Sequence, residues 1–187
     1  MEKRLVIAIS GASGACYGIR LLEALAEQPK IETHLVVSST AETVIARETD
    51  RAPEQVKALA DHVHAPDDLT APIASGSFPV AGMIVVPCSI KMLSAVANSY
   101  AADLISRAAD VTLKEGRPLV LVVRETPLHL GHLRLMAQAA EIGATIFPPM
   151  PAFYGNPQTV AEIVDTTVGR ILARVGVENT LYTRWEG

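Results

Sequence analysis

Hydrophobic positions fall along this chain in two alternating patterns. Short unbroken apolar runs, such as Leu5-Val6-Ile7-Ala8-Ile9 and Leu119-Val120-Leu121-Val122-Val123, are bounded by Ser, Gly or charged residues and read as strands buried on both faces. Between them, apolar residues recur at helical spacing, as Ile19, Leu22, Leu25 and Ala26 do within Tyr17–Ala26. The alternation predicts strands over Leu5–Ile9, Thr33–Val37, Met83–Val86, Leu119–Val123 and Thr145–Phe147. It predicts helices over Tyr17–Ala26, Ala41–Glu48, Ile90–Lys114 with a break near Tyr100 to Asp103, Leu128–Glu141 with Gly143 as its stop, and Thr159–Arg174 with Pro157 near its start. Asp50 to Phe78 is expected to be ordered but irregular, apart from a short helix over Pro53–Ala60; Pro148 to Pro157 is expected to be a loop.

Strands alternating with helices imply a single three-layer α/β domain over residues 1–187, doubly wound, with a mainly parallel sheet of flavodoxin-like or Rossmann-like type. A composition poor in aromatics and rich in Ala, Val, Ile and Leu fits strands covered on both faces. The net charge of -4 is spread without long runs of one sign, which argues against nucleic acid or an anionic membrane as partner. No stretch reads as a membrane span or a signal peptide. Cys16 and Cys88 stand far apart without a CxxC or Cys/His spacing, so neither a disulfide scaffold nor a structural zinc site is expected, and the cytoplasm is the expected location.

Ligands of such folds sit beyond the carboxyl ends of the strands, which selects the residues to inspect. The first strand ends at Gly11-Ala12-Ser13-Gly14, with Gly18 one helical turn on. These glycines permit a tight turn whose amides and helix N-terminus can face an anion, with the Ser13 hydroxyl beside them; helix packing alone is the competing explanation. The spacing is GxxGxxxG rather than GxGxxG, and Ser38-Ser39 stands where a dinucleotide fold favours a ribose-binding acid, so a mononucleotide fits better than NAD.

Ser89-Ile90-Lys91-Met92 offers a second set of free amides and a cation, or an ordinary capped helix start. Arg124-Glu125, directly after the most apolar strand, can serve phosphate binding and proton transfer. Lys114, Arg107, Arg170 and Glu48 could join this edge only through the fold, and each alone reads as a surface charge. Cys88 reads as a nucleophile or as a small buried side chain. The pairs His62/His64 and His129/His132 resemble metal-ligand pairs but lack a carboxylate or cysteine at supporting spacing, which favours packing or surface roles. Tyr154 reads equally as a lid residue or a loop anchor.

Taken together, Ile9-Ser10-Gly11-Ala12-Ser13-Gly14-Ala15, Glu48-Thr49-Asp50, Ala74-Ser75-Gly76-Ser77, Pro87-Cys88-Ser89, Arg107-Ala108-Ala109-Asp110-Val111, Leu113-Lys114-Glu115, Arg124-Glu125-Thr126-Pro127-Leu128 and Pro151-Ala152-Phe153-Tyr154 resemble the flavin prenyltransferases of the UbiX type, formerly described as aromatic acid decarboxylases. The resemblance spans nearly the whole chain. It implies a homo-oligomer, typically a dodecamer, that joins a dimethylallyl group from dimethylallyl phosphate to N5 and C6 of reduced FMN without a metal. The prenylated FMN would serve a separate UbiD-type decarboxylase of aromatic or unsaturated acids, in ubiquinone synthesis or phenolic acid breakdown.

Carried over by motif, Gly11, Ala12, Ser13, Ser38, Ser89, Ile90, Lys91, Met92 and Arg124 would hold FMN. Arg107, Lys114, Tyr154 and Arg170 would hold the prenyl phosphate, with Trp185 closing over the site from a neighbouring subunit. Ser13, Glu48, Lys114 and Glu125 would be catalytic. The chain departs from the family pattern at Gly155-Asn156, where many members carry His and a basic residue, and at Gly116, often basic. The alternatives carried forward are a flavin-dependent decarboxylase and an FMN carrier without catalysis.

Overall fold

The computed structural model describes residues 3–185. Its sheet has six strands, β1 (Lys3–Ile9), β2 (Ile31–Val37), β3 (His62–His64), β4 (Gly82–Cys88), β5 (Leu119–Val123) and β6 (Thr145–Ile146). They pair in the order β3-β2-β1-β4-β5-β6, and each pairing is parallel. That is the order of a doubly wound sheet whose winding reverses between β1 and β4.

Alternation along each strand sends successive side chains into opposite cores. Leu5, Ile7, Ile9, Leu35, Ile84 and Val120 pack on one face with helices α1 (Ala15–Ala26), α2 (Ser39–Glu48) and α7 (Val160–Arg174). Val6, Ala8, Met83, Val85 and Leu121 pack on the other face with α4 (Ile90–Ala97), α5 (Leu104–Lys114) and α6 (Leu130–Glu141). Burial on both faces is why the central strands read as unbroken apolar runs. Helix α1 lies close on the sheet because Gly18 has no side chain; a Cβ there would stand 2.5 Å from the Val86 carbonyl oxygen.

Several boundaries differ from the sequence expectation. The break expected near Tyr100 to Asp103 is present but starts earlier, at Asn98, and ends where Asp103 accepts a hydrogen bond from the Ser106 N–H at 2.8 Å and starts α5. The sixth helix begins at Leu130 rather than Leu128, because the His129 side chain caps it through the Gly131 N–H. Thr159 caps α7 from outside, accepting from the Glu162 N–H.

The segment Asp50 to Phe78 is more regular than expected. It holds α3 (Pro53–Lys57), a 3-10 turn at Pro72–Ala74 and the edge strand β3. Strand β3 puts His62 beside His34 and His64 beside Val36. Burial, and then the neighbouring His62 and His64 rings, hold the His34 pKa down to about 4.

Candidate functional site

The carboxyl ends of β1, β2, β4 and β5 surround a cavity of about 580 Å³, lined by Ser10, Gly11, Ser38–Thr40, Pro66, Asp67, Ser89–Met92, Ala102, Asp103 and Glu125. It lies at the winding reversal, where doubly wound folds place their ligands, and its volume falls in the range of small-molecule sites.

Two helix N-termini face this cavity. Ser38 caps α2, its hydroxyl accepting from the Ala41 N–H at 3.2 Å, and Ser89 caps α4 in the same way through the Met92 N–H at 3.3 Å. Each cap consumes one amide and leaves the N–H groups of Ser39 and Thr40, and of Ile90 and Lys91, without a partner among the described residues. Four amides without a partner, two positive helix ends and the exposed Lys91 ammonium suit an anion on this side of the cavity, while Asp67, Asp103 and Glu125 put carboxylates elsewhere on its lining.

Ser10 joins the two halves. Its buried hydroxyl donates to the Pro87 carbonyl at 2.9 Å and accepts from the Ser89 N–H at 2.8 Å, so the end of β1 holds the turn that begins α4. The Arg124 N–H donates to the Cys88 carbonyl at 3.1 Å and fixes the neighbouring Glu125 at the rim. The Glu125 carboxylate accepts from the Thr126 N–H at 2.9 Å and remains exposed.

The glycine-rich turn has a second purpose. Gly14 adopts φ 99°, a left-handed conformation that suits glycine, and the first amides of α1 point at Glu48. Glu48 Oε2 accepts from the Gly14 N–H at 2.8 Å and from the Ala15 N–H at 3.2 Å. Partial burial raises the Glu48 pKa, but the Ser13 hydroxyl, these two amides and the Arg124 charge outweigh it and hold the carboxyl below the usual range. Ser13 and Glu48 therefore stand together at the N-terminus of α1, beside the cavity lining rather than in it.

Other candidates lie elsewhere on the chain. Helix α5 starts near the cavity, where the Leu104 N–H donates to the Pro66 carbonyl, and Lys114 ends it roughly 15 Å further on by the helical rise. There the Lys114 ammonium pairs with Glu115. Arg107 donates to the Ala74 carbonyl at 3.1 Å and pairs with Asp110 at 3.0 Å. Tyr154 lies in a separate cleft with Asp165 and Tyr182, its ring edge-on to Trp185 at 5.7 Å. Arg170 is exposed on α7. The fold thus gathers Gly11, Ser38, Ser89, Ile90, Lys91, Met92 and Glu125 around one cavity, puts Ala12, Ser13, Glu48 and Arg124 next to it, and leaves Arg107, Lys114, Tyr154, Arg170 and Trp185 outside it.

Cys88 is fully buried, and burial pushes its thiol pKa up, the opposite of what a nucleophilic thiolate needs. Pro66, Asp67, Ala102 and Asp103 are lining residues that sequence reasoning missed. They come from crossover segments, and only the polar turn signals Pro66-Asp67 and Asp103 marked them in the sequence.

The chain is similar to known proteins over its full length. The family model described as Flavoprotein matches residues 1–172. The flavin prenyltransferase UbiX of Salmonella typhimurium is 55% identical over 187 residues, covering 99% of both chains. A crystal structure of AnUbiX (PadA1) in complex with FMN and dimethylallyl pyrophosphate superposes with a TM-score of 0.97 at 50% identity, covering 100% of this chain and 99% of that one. A dodecameric FMN-dependent UbiX-like decarboxylase from Escherichia coli O157:H7 superposes with a TM-score of 0.96 at 49% identity, over 98% of this chain and 100% of that one. With its cavity at the winding reversal and full-length identity of this order, the chain belongs to the flavoprotein family and, within it, to the UbiX flavin prenyltransferases.

Proposed function

We propose that this protein binds FMN in the cavity between the ends of β1, β2, β4 and β5 and joins to the reduced flavin a dimethylallyl group taken from dimethylallyl phosphate. The observation that carries this reading is the pair of helix N-termini whose Ser39, Thr40, Ile90 and Lys91, with amides that have no partner among the described residues, line one cavity of about 580 Å³. That donor set fits a ligand combining a phosphate with a polar ring edge. Ser38, Ser89 and the Gly11-Ala12-Ser13 turn shape its walls, and Lys91 and Arg124 supply positive charge.

When bound, reduced FMN supplies the nucleophilic N5 and C6 positions to which the five-carbon group becomes attached. The bond broken is between the allylic carbon and the phosphate oxygen, and the electron pair leaves with the phosphate. Cations stabilise that departure, which is the role proposed for Lys114, Arg107 and Arg170, with Tyr154 as a hydrogen-bond donor. Attachment at N5 releases the N5 proton; its return to the alkene lets the second bond form at C6, and C6 then gives up its own proton, for which Glu125, exposed at the rim, is the proposed acceptor. Ionised Glu48 holds the first turn of α1 and so positions Ser13. No metal is needed for these steps.

Because Lys114, Arg107, Arg170, Tyr154 and Trp185 stand outside the cavity of their own chain, they complete the site of a neighbouring copy in this reading. Leu128, Leu130, Leu133, Met150 and Phe153 are exposed large apolar side chains of the kind that packing between copies covers. A homo-oligomer, dodecameric as in the Escherichia coli relative, satisfies both observations. No described helix is long and apolar enough to cross a membrane. We place the protein in the cytoplasm, passing prenylated FMN to a UbiD-type decarboxylase of aromatic or unsaturated acids.

The test is anaerobic incubation of the protein with reduced FMN and dimethylallyl phosphate, followed by mass analysis of the extracted flavin. The expected product is heavier by one five-carbon unit. An unchanged flavin, or carbon dioxide released from an aromatic acid by this protein alone, contradicts the reading.

A further inference from the structure

A cluster of imidazoles and a carboxylate lies on β2 and β3, with none of its residues in the cavity lining. Glu32 and His34 alternate along β2, and His62 and His64 along β3, so period two puts all four on one face where the strands pair. Glu32 precedes Ser38 by six strand residues, roughly 20 Å, and so stands near the opposite edge of the sheet. Glu32 Oε1 is 2.8 Å from His62 Nε2 and 3.5 Å from His34 Nε2, and one potential ligand atom from each of the three residues lies within 4.8 Å of the other two.

The second, independent observation is the state of His34. Its side chain is only 4% exposed, and its Nε2 is buried without a hydrogen-bond partner. Buried polar atoms are nearly always satisfied, so an orphan 3.5 Å from a carboxylate oxygen and beside a second imidazole ring needs an explanation. The other ring nitrogen, Nδ1, shares a hydrogen bond with His64 Nε2 at 3.0 Å. With the proton on His34 Nδ1, His64 is its acceptor and Nε2 presents a lone pair to Glu32. Two acceptors then face each other, an arrangement that a cation between them resolves. An outer-shell acceptor on the far nitrogen is also how metal-bound histidines are held in one tautomer.

We propose that Glu32, His34 and His62 form a site for a divalent transition metal of the zinc class. Tetrahedral zinc at its ordinary bond lengths separates its ligand atoms by about 3.4 Å, close to the His34–Glu32 spacing, and His62 meets that geometry by drawing back slightly from Glu32. Two imidazoles with one carboxylate select zinc, cobalt or nickel over magnesium or calcium, which prefer all-oxygen shells. The His62 side chain is half exposed and gives the ion an entry path. Arg4 pairs with the other carboxylate oxygen, Oε2, at 2.7 Å and leaves Oε1 to the metal. The bound ion would tie the short edge strand β3 to β2.

The experiment uses the assembled, tag-free protein after chelator treatment and dialysis, titrated with Co²⁺ as a visible-absorbing probe and then with Zn²⁺ in competition. We expect one Co²⁺ per chain, displaced by Zn²⁺ and not by Mg²⁺. His62→Ala and Glu32→Gln should each weaken binding by about tenfold or more, the effect that loss of even an outer-shell partner produces. Replacing both His129 and His132 by Ala, which removes the other histidine pair, should leave it unchanged. Less than stoichiometric binding, or binding that survives both His62→Ala and Glu32→Gln in folded protein, overturns the proposal.

Discussion

The Gly14 N–H donates to Glu48 Oε2 at 2.8 Å, across 34 residues of sequence, and joins the first strand-to-helix turn to the end of α2. Both ends of α2 therefore meet the carboxyl edge of the sheet: Ser38 at its start belongs to the cavity wall, and Glu48 at its finish caps α1. Replacing Glu48 by Gln keeps the shape and removes the charge from a helix N-terminus. It should cost about 0.5–1 kcal/mol of stability at neutral pH. Because folding lowers the Glu48 pKa, its contribution is present above the ordinary glutamate value of about 4.3 and is lost as pH falls through the lower folded value. Denaturant melts of parent and variant should therefore differ at pH 7 and converge in acid; a gap that persists in acid would rule out this charge effect.

Ser10 is the buried link between β1 and the start of α4. Ser10→Ala leaves the Ser89 N–H and the Pro87 carbonyl without that partner, which should cost about 1–3 kcal/mol. The same change frees the Ser89 turn, so FMN affinity, read by quenching of flavin fluorescence, should fall as well. Undiminished affinity in a destabilised variant would separate the fold from the site.

Glu125 lines the cavity without contributing one of its free amides. Glu125→Gln should leave FMN binding within about twofold while slowing flavin prenylation by about 10²-fold or more, the scale of a lost general base. Single-turnover mass analysis of the flavin checks it. Parent-like rates would remove Glu125 from proton transfer.

Lys114 and Glu125 are far apart in one chain but belong to one site if copies share it. Lys114→Ala and Glu125→Gln proteins, each strongly slowed alone, should recover part of the parent prenylation rate when mixed under conditions that allow subunit exchange. Recovery that is absent despite demonstrated exchange would place both residues in the same copy's site.

The central sheet was legible because strands buried on both faces admit no polar residue, as Leu5–Ile9 and Leu119–Val123 show. The cavity lining was legible wherever a residue stands within two positions of a strand's end, as Gly11, Ser38, Ser89 and Glu125 do. Strand β3 was not, since His62-Val63-His64 is short, mostly polar and at the sheet edge, where burial imposes no apolar pattern. For the same reason the link from His62 to Glu32 and His34 was invisible: strand pairing, not spacing, brings them together. Lys114 and Arg107 were recognisable by motif, but periodicity does not tell which end of a helix meets the ligand. Asp67 and Asp103 reach the cavity through crossovers whose path no local pattern encodes.

Where FMN sits is decided by a crystal structure of the protein with the flavin bound. Flavin seated against Ser38–Thr40 and Ser89–Met92, at the ends of β2 and β4, is the predicted result. Flavin bound instead in the Tyr154–Tyr182 cleft, with the cavity at the winding reversal left to solvent, would contradict it.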